Sequence, residues 1–279
     1  MRVRIIDFQS PTAGKDFATG LKEIGFAVIE NHPISNQLID QAYTLWYDFF
    51  KSSEKNNYPF NPKTHEGYIS TEMSETAKGY TAKDLKEFYH YYLGKTCPDS
   101  CREVTHNLAN QLTTMAGTLL KWVDDNAPEE VRSKFSMRLP EMIKDSEHTL
   151  FRLIHYPPLT GNEPKNALRA AAHEDINLLT LLPAATASGL QVKKADGEWI
   201  DVPINPGWII VNVGDMLQEC SGHYYPSTSH RVLNPTGEAA KQSRLSMPLF
   251  LHPREEVVLS ERHTAGSYRK ERFEEIGLK

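Results

Sequence analysis

Residues 178–213 read LLTLLPAATASGLQVKKADGEWIDVPINPGWIIVNV and contain four short apolar runs. Turn-forming segments at residues 195–197 (Ala-Asp-Gly) and 205–207 (Asn-Pro-Gly) help to separate these runs. Similar apolar runs occur at residues 151–156, before this stretch, and at residues 244–251, after it. Short, evenly spaced strands of this kind indicate an antiparallel barrel or a double-sheet jelly roll.

The part of the chain before this β region is rich in helical periodicity, with only two short predicted strands. The strands are expected at residues 2–8 and 25–32. Apolar side chains recur at helical spacing at residues 13–24, 35–51, 98–125 and 128–135, and helix returns in the tail at residues 264–279. The predicted fold class is therefore mainly β with α, a β core against which an N-terminal α-rich half packs.

The composition is that of an ordinary soluble globular protein. Of the 279 residues, 39% are apolar and 24% are charged, and the formal net charge is −5. This length suffices for one large domain or two small ones. No lysine- and arginine-rich stretch stands out, which argues against nucleic acid and anionic membranes as partners. The composition says nothing about the oligomeric state.

The cysteines and the N-terminal sequence bear on location. Cys97, Cys101 and Cys220 are too few and too irregular for a disulfide framework, and no second cysteine pair completes a zinc site. The start, MRVRIIDFQSP, lacks the apolar run and cleavage site of a signal peptide. No 18 consecutive residues are apolar. We therefore expect free thiols in a cytoplasmic protein that does not cross a membrane.

Two histidines and one aspartate have the spacing of a metal site. His173 and Asp175 are two residues apart, so on a strand both side chains would face the same side. His230 follows 55 residues later, which leaves room for strands that bring it back as a third ligand. Two imidazoles and one carboxylate are the facial triad of non-haem Fe(II) oxygenases, and cysteine ligands for zinc are missing. An isolated H-x-D motif is weak evidence, because a chain with 11 histidines often contains one by chance.

Arg244 and Ser246 form a second candidate site in the segment SRLSMPLF. Residues two apart on a strand share a face, so both side chains can point into the barrel while Leu245 points away. A guanidinium binds a carboxylate through paired hydrogen bonds, and the serine hydroxyl adds another donor. The pair suits a small dicarboxylate such as 2-oxoglutarate. The alternative is a structural arginine paired with an acid at a strand edge.

Taken in order, the motifs strongly resemble the isopenicillin N synthase-like branch of the Fe(II)- and 2-oxoglutarate-dependent dioxygenase superfamily. The resemblance covers nearly the whole chain. It implies a double-stranded β-helix (jelly-roll) core buttressed by N-terminal helices and a C-terminal helix. The matching segments are IIDF (5–8), GFAVIENH (25–32), HEDINLLTLL (173–182), GLQV (189–192), PGWIIVNVGDML (206–217) and STSHRV (227–232).

The resemblance assigns roles residue by residue. His173, Asp175 and His230 match the family's iron ligands, the catalytic centre. The implied cofactors are Fe(II) and 2-oxoglutarate, with ascorbate as an optional reductant, and the implied partners are O2 and a small-molecule substrate. The implied reaction is hydroxylation or desaturation with release of succinate and CO2. Because halogenating relatives lack the carboxylate ligand, Asp175 argues against halogenation.

The resemblance also implies a site for the far carboxylate of 2-oxoglutarate. Arg244 and Ser246 match the residues that bind this group, and Tyr156 matches a tyrosine whose hydroxyl assists them. As an alternative, Tyr156 is a core aromatic of the barrel. Two departures from the family pattern stand nearby: Ile154 replaces a frequent asparagine, and the connection from His230 to Arg244 is long, with extra residues near 235–241.

Two alternative functions remain open from the sequence. One is an oxidase of the same branch that does not use 2-oxoglutarate, in which the Arg-Ser-Tyr cluster receives another carboxylate. The other is a non-catalytic ligand-binding protein on the same fold, which the complete triad argues against. Release of succinate on turnover separates the dioxygenase from the oxidase.

The chain is expected to be a single domain over residues 1–279 with three parts. These are an α-rich part (1–147), a jelly-roll core (148–263) and a C-terminal helix (264–279). The tyrosine-rich segment at 67–92, together with Phe151 and the C-terminal helix, is a candidate wall of the substrate pocket. The alternative, which we favour for the tyrosines, is that they are partly buried strand aromatics.

Overall fold

The computed structural model describes residues 2–74, 76 and 82–275, which form two sheets and a layer of helices. The strands are β1 (Arg4–Asp7), β2 (Phe26–Glu30), β3 (Gly67–Ile69), β4 (Glu87–Tyr92), β5 (Leu150–Tyr156), β6 (Ala170–His173), β7 (Leu179–Pro183), β8 (Leu190–Lys193), β9 (Trp199–Asp201), β10 (Ile209–Val213), β11 (His230–Val232), β12 (Arg244–Ser246) and β13 (Leu249–Leu251). The helices are α1 (Ala13–Ile24), α2 (Asn36–Lys51), α3 (Arg102–Asn126), α4 (Glu129–Arg132), α5 (Leu139–Met142), α6 (Asp215–Cys220) and α7 (Ala265–Glu275).

The large sheet runs in the order β1-β2-β10-β7-β13-β5-β4-β3, and β12 also pairs with β5. Only the β1–β2 pair is parallel among the pairs of this sheet in the described residues; the others are antiparallel. The small sheet runs β6-β11-β8-β9 and is antiparallel throughout. Two sheets that are antiparallel apart from the β1–β2 pair, with helices against the larger one, confirm the predicted jelly-roll fold.

The large sheet is buried on both faces, and the side-chain alternation along each strand decides which face a residue meets. On β10, Val211 packs with the helices, whereas Ile210 packs with the small sheet. The same division places Ile29 of β2 on the helical side and Val28 on the side of the small sheet. The helical side buries the larger core, which includes Trp46 and the apolar faces of α1, α2 and α3.

The boundary between α1 and β2 depends on one glycine. Gly25 has φ 72°, a left-handed conformation, and its N–H donates to the carbonyl of Leu21 at 2.8 Å, which ends α1. A Cβ at this position would lie 2.3 Å from the carbonyl oxygen of Pro226. Only glycine therefore fits here, and the chain can turn directly into the buried strand β2.

Most predicted elements are present with small shifts in their ends. The helix predicted at 13–24 is α1, the one at 35–51 is α2, and the one at 98–125 is α3. The run at 244–251 is two strands rather than one, since Met247 and Pro248 separate β12 from β13 and proline has no N–H for the ladder. In addition, β1 to β4 all join the large sheet, so the part before residue 148 contributes strands to the core as well as helices.

Within the described residues, no helix combines the length and the apolar character needed to cross a membrane.

Candidate active site

Three side chains with metal-binding atoms converge at the small sheet. His173 ends β6, His230 begins β11, and the two residues are direct partners in the antiparallel register. One ligand atom from each of His173, Asp175 and His230 lies within 4.8 Å of the others. The Oδ1 atom of Asp175 is 3.8 Å from Nε2 of His173 and 3.7 Å from Nε2 of His230. No second cluster of three such side chains occurs among the described residues.

Main-chain carbonyls orient both imidazoles. Nδ1 of His173 lies 2.8 Å from the carbonyl oxygen of Ala171, and Nδ1 of His230 lies 3.1 Å from that of Thr228. A carbonyl oxygen only accepts hydrogen bonds, so each Nδ1 carries the proton. Each Nε2 then keeps its lone pair for a metal, which is the usual arrangement of metal-bound histidines.

Hydrogen bonds on one carboxylate oxygen orient Asp175. Its Oδ2 accepts from the hydroxyl of Thr180 at 2.6 Å and from Nδ2 of Asn212 at 2.8 Å. The other oxygen, Oδ1, is the one that lies between the two histidines. Neither Thr180 nor Asn212 is in the sequence prediction, because Asn212 is brought to the site only by the pairing of β10 with β7.

The expectation that His173 and Asp175 share one strand is wrong. Strand β6 ends at His173, and Asp175 lies in the connection to β7. There its carbonyl oxygen accepts from the N–H of Asp215 at 2.7 Å, a main-chain bond that holds this connection against the start of α6. The carboxylate reaches the histidines through this loop geometry rather than through strand alternation.

The electrostatics of the cluster favour the protonation states that bind a metal. Burial would raise the pKa of Asp175, but the two imidazoles and the hydrogen bonds from Asn212 and Thr180 hold that pKa below its usual range. Burial and the neighbouring His230 both lower the pKa of His173. A carboxylate on Asp175 and a neutral imidazole on His173 are therefore favoured at neutral pH, and these are the ligand forms that metals require.

Arg244 lies in β12 directly opposite Tyr156 of β5, despite the long connection that precedes it. Its guanidinium carbon is 5.0 Å from the centre of the Tyr156 ring, and its Nε donates to the carbonyl of Ala187 at 2.9 Å. The side chain is buried, and its Nη1 atom has no hydrogen-bond partner. A buried donor of a fixed positive charge that lacks an acceptor fits a carboxylate ligand such as the far end of 2-oxoglutarate.

The side chains of β12 alternate between the two faces of the large sheet, as predicted for Arg244 and the residues after it. Leu245 belongs to the core on the helical side of the sheet, whereas Ser246 pairs with Ile154 on β5. Ile154, which stands where the family often has asparagine, packs with Phe88 and Tyr156 in a small apolar cluster. The side of Tyr156 that meets Ile154 and Phe88 is therefore apolar and buried.

A second arginine at this place was missed by the sequence prediction. Arg169 precedes β6, its side chain is buried, and its guanidinium carbon is 5.9 Å from the centre of the Tyr156 ring. A usable signal existed, because Arg169 is four residues before His173 and a strand would put both on one face.

The side chains of β4, in the tyrosine-rich segment, alternate between the two faces of the large sheet. Tyr89 and Tyr91 belong to the core on the helical side, as does Phe151, so these three side chains do not line a pocket beside Tyr156. The alternate residues of β4 face the other side: Phe88 packs in the Tyr156 cluster, and His90 lies 5.1 Å from Phe88 between ring centroids. Residues 75 and 77–81 of this segment lie outside the described residues.

Comparisons with known proteins agree with this geometry. Residues 147–253 match the family model of the 2OG-Fe(II) oxygenase superfamily. Residues 3–111 match a model described as the N-terminal part of non-haem dioxygenase in morphine synthesis. Jasmonate-induced oxygenase 3 of Arabidopsis thaliana is 30% identical over 259 residues, which cover 87% of this chain and 67% of that protein. The chain belongs to the 2OG-Fe(II) oxygenase superfamily.

Further members of the superfamily match over most of their length. Gibberellin 2-beta-dioxygenase of Phaseolus coccineus is 26% identical over 261 residues, which cover 90% of this chain and 76% of that protein. A crystal structure of a Shewanella oneidensis protein assigned to the oxygenases has 49% identity and a TM-score of 0.90, with complete coverage of both chains. A Caulobacter crescentus protein assigned to the 2OG-Fe(II) oxygenase family has 28% identity and a TM-score of 0.79, and the match covers 98% of this chain and 99% of that one.

Membership confirms the predicted class of enzyme. The chain is a non-haem Fe(II)- and 2-oxoglutarate-dependent dioxygenase. The roles of the individual site residues stay predictions.

Proposed function

We propose that this dioxygenase binds Fe(II) through His173, Asp175 and His230 and hydroxylates or desaturates a small organic substrate. The observation that carries the proposal is the convergence of three ligand atoms within 4.8 Å. Two imidazole nitrogens and one carboxylate oxygen are the donor set of the facial triad, which leaves positions open for other ligands. When bound, Fe(II) with 2-oxoglutarate supplies the oxidising chemistry that consumes O2 and yields succinate, CO2 and oxidised substrate.

Arg244, Ser246 and Tyr156 are proposed to bind the far carboxylate of 2-oxoglutarate. The unpartnered Nη1 of Arg244 supports this role, as does the direct pairing of Arg244 with Tyr156. The guanidinium supplies charge and direction, and the apolar cluster around Tyr156 strengthens the interaction by excluding water. With the far carboxylate fixed, the keto-acid end of the molecule is oriented for the metal.

Metal binding by the purified protein tests the triad. His230→Ala removes one of three ligands and should abolish tight, stoichiometric Fe(II) binding, as measured by metal analysis after desalting under anaerobic conditions. The control is His106→Ala, an exposed histidine on α3, which should bind iron as the wild type does. One equivalent of iron retained by His230→Ala would contradict the assignment.

Co-substrate binding tests the carboxylate site. Arg244→Ala should lose nearly all affinity for 2-oxoglutarate, and Arg244→Lys should retain part of it, because lysine supplies charge but not two-pronged geometry. Turnover with candidate small molecules should release succinate in step with the oxidised product. O2 consumption without succinate would instead indicate an oxidase that does not use 2-oxoglutarate.

A further inference from the structure

Arg169 is a buried cation whose counter-ion the described residues do not supply. Its side chain is 1% exposed, although it lies only four residues before His173. One donor is used, since Nη2 donates to the main-chain carbonyl of Gln242 at 3.0 Å, whereas the buried Nε has no acceptor. Among the described residues, no carboxylate forms an ion pair with it. Buried charges are usually paired, so this arrangement is costly unless an anion binds.

Arg244 likewise has a buried nitrogen without a hydrogen-bond partner, and it lies against the same tyrosine ring. Both guanidinium carbons lie against the ring of Tyr156, at 5.0 Å for Arg244 and 5.9 Å for Arg169. Each arginine also has one buried nitrogen without a partner, Nη1 in Arg244 and Nε in Arg169. Burial and the like charge of Arg244 lower the pKa of Arg169. Two neighbouring buried cations repel each other, and an anion bound between them would remove that repulsion.

We propose that Arg169 is a second anion-binding arginine, which holds the far carboxylate of 2-oxoglutarate together with Arg244. This inference rests on the proposed function of Arg244. A carboxylate has two oxygens with about four lone-pair sites, enough for donors from two guanidiniums. The bond from Arg169 to the carbonyl of Gln242 fixes the guanidinium plane before the ligand arrives, which lowers the cost of binding.

A purely structural role for Arg169 explains less of the geometry. Tying the residue that precedes β6 to the carbonyl of Gln242 needs a single uncharged donor and would leave no reason for a buried charge. The main chain is already held here, because the N–H of Arg169 donates to Oδ1 of Asn234 at 2.8 Å. The contact with the Tyr156 ring engages the guanidinium but offers Nε no acceptor, which an anionic ligand would supply.

The test compares two keto acids that differ only in the far carboxylate. Isothermal titration calorimetry of the Fe(II)-loaded protein under argon would measure the Kd of 2-oxoglutarate and of 2-oxopentanoate, in which a methyl group replaces that carboxylate. Arg169→Gln should weaken 2-oxoglutarate binding by about 10- to 100-fold, the range for losing a charge-assisted hydrogen bond. Binding of 2-oxopentanoate should be unchanged, because it does not reach Arg169 with a charge.

Two further variants test whether the loss of affinity comes from the missing guanidinium rather than from a disturbed structure. Arg169→Lys keeps the charge and the alkyl stem, so it should fold and show a smaller, several-fold loss for 2-oxoglutarate alone. Arg254→Gln is the matched control, since Arg254 also donates to main-chain carbonyls, those of Glu141 and Lys144, but away from Tyr156. It should bind both keto acids as the wild type does.

Three results would contradict the proposed carboxylate site or the role of Arg169 in it. Equal losses for both keto acids in the Arg169 variants would show a structural role and overturn the proposal. Unchanged affinity for 2-oxoglutarate in both variants would also overturn it. If the wild-type protein bound 2-oxopentanoate as tightly as 2-oxoglutarate, the proposed carboxylate site itself would fail, a result distinct from failure of Arg169 alone.

Discussion

At the scale of single residues, the two oxygens of Asp175 do different things. Oδ2 receives hydrogen bonds from Thr180 and Asn212, whereas Oδ1 lies between the imidazoles. A carboxylate fixed in this way presents one oxygen to a metal and cannot rotate to present both. Partners of this kind typically affect metal affinity by about 10- to 100-fold when they are removed.

Thr180→Val should therefore weaken Fe(II) binding by about 10- to 100-fold, because valine keeps the shape of threonine but cannot donate to Asp175. Competition with a chelator of known affinity measures the change. Thr114→Val is the control, since Thr114 is exposed on α3 and its hydroxyl donates to the carbonyl of Asn110 in the same helix. Equal iron affinity in wild type and Thr180→Val would show that Asn212 alone orients the carboxylate.

The residues that sequence reasoning found and those it missed differ in kind. The convergence of His173, Asp175 and His230 was predictable, because H-x-D and the later segment STSHRV are recognisable short motifs. Asn212 was not, because nothing local distinguishes it from any other polar residue on a buried strand. Its role exists only after β10 has paired with β7, and the order of strands in a sheet is not written in local spacing.

At the scale of elements, a buried carboxylate joins three strands. Glu87 on β4 accepts from Lys55 at 2.9 Å and pairs with Nδ1 of His155 on β5 at 2.7 Å. The hydroxyl of Tyr68 on β3 also donates to it. Burial acts to raise the pKa of Glu87, but the hydrogen bonds from these three partners outweigh it and hold that pKa below its usual range.

Glu87→Gln should lower the free energy of unfolding at pH 7 by about 2 kcal/mol, because a buried ion pair loses its charge. A group whose folded pKa is depressed stabilises above its unfolded pKa, and that stability is lost as the pH falls through the folded pKa. The difference between variant and wild type should therefore shrink below about pH 4.5. Urea unfolding at pH 7 and below about pH 4.5 measures this difference in the free energy of unfolding. A difference that does not change with pH would contradict this account.

A surface pair provides the comparison for Glu87. Glu23 and Arg4 form a partly exposed ion pair with both oxygens engaged. Glu23→Gln should change the free energy of unfolding by less than about 1 kcal/mol, since exposed pairs contribute little. A loss as large as that of Glu87→Gln would mean that burial is not what distinguishes the two carboxylates.

The C-terminal helix α7 lies against the rest of the molecule through several side chains. Tyr268 packs on the large core, Arg269 forms an ion pair with Glu255, and the ring of Phe273 is 5.9 Å from that of His65. Ile276, three residues after Phe273, lies outside the described residues. The ion pair between Arg269 and Glu255 therefore helps to hold the helix against the rest of the molecule.

Removal of residues 264–279 should spare Fe(II) and 2-oxoglutarate binding, because the proposed ligands all lie before Ala265. We expect it to damage coupling, so that succinate forms without a matching amount of oxidised substrate, because the tail resembles a C-terminal helix that closes over the barrel mouth in this family. Parallel measurement of succinate and product tests this. Coupling as tight as in the full chain would make the tail only a terminus.

Elements with a long periodic pattern of apolar residues could be predicted from the sequence, whereas very short elements could not. Helices α1 to α3 carry long apolar stripes, and their bounds were predicted to within a few residues. The short helices α5 and α6 were missed, since four to six residues contain too little periodicity to detect. The division of β12 from β13 was missed for a related reason, because a continuous apolar run hides the break at Pro248.

At the scale of the whole molecule, the three cysteines lie in the main core, so their reactivity would show whether that core is open or closed. Cys97, Cys101 and Cys220 are free thiols, and all three belong to the large apolar cluster on the helical side. Burial raises the pKa of Cys97 to about 12 and that of Cys101 to about 11, and it also raises the pKa of Cys220. The thiolate is the reactive form, so all three should be inert in the native protein.

Native protein at pH 8 should therefore incorporate no iodoacetamide on the time scale in which the urea-unfolded chain takes up three equivalents. Mass spectrometry after timed quenching measures this. In intermediate urea, the alkylation rate should follow global unfolding, since the thiols become accessible only when the core opens. Fast labelling of any one native cysteine would reveal a local opening on the helical side.

The fold class was predictable from the order of motifs, but the extent of the large sheet was not. Four strands before residue 148 join it, and β2 enters between β1 and β10. Local sequence marks β2 as a buried strand without naming its partner, because its neighbour β10 comes from the other part of the chain.

That pairing has a consequence for how the protein is made. Ile29 of β2 pairs with Ile209 of β10, 180 residues later in the chain. At a synthesis rate of about 5–20 residues per second, an apolar strand waits roughly 10 to 40 s on the ribosome before its partner exists. His230 emerges later still, so iron can enter only after most of the polypeptide has been translated. A ribosome that stalls before residue 209 would leave β2 exposed as a surface for chaperones to hold.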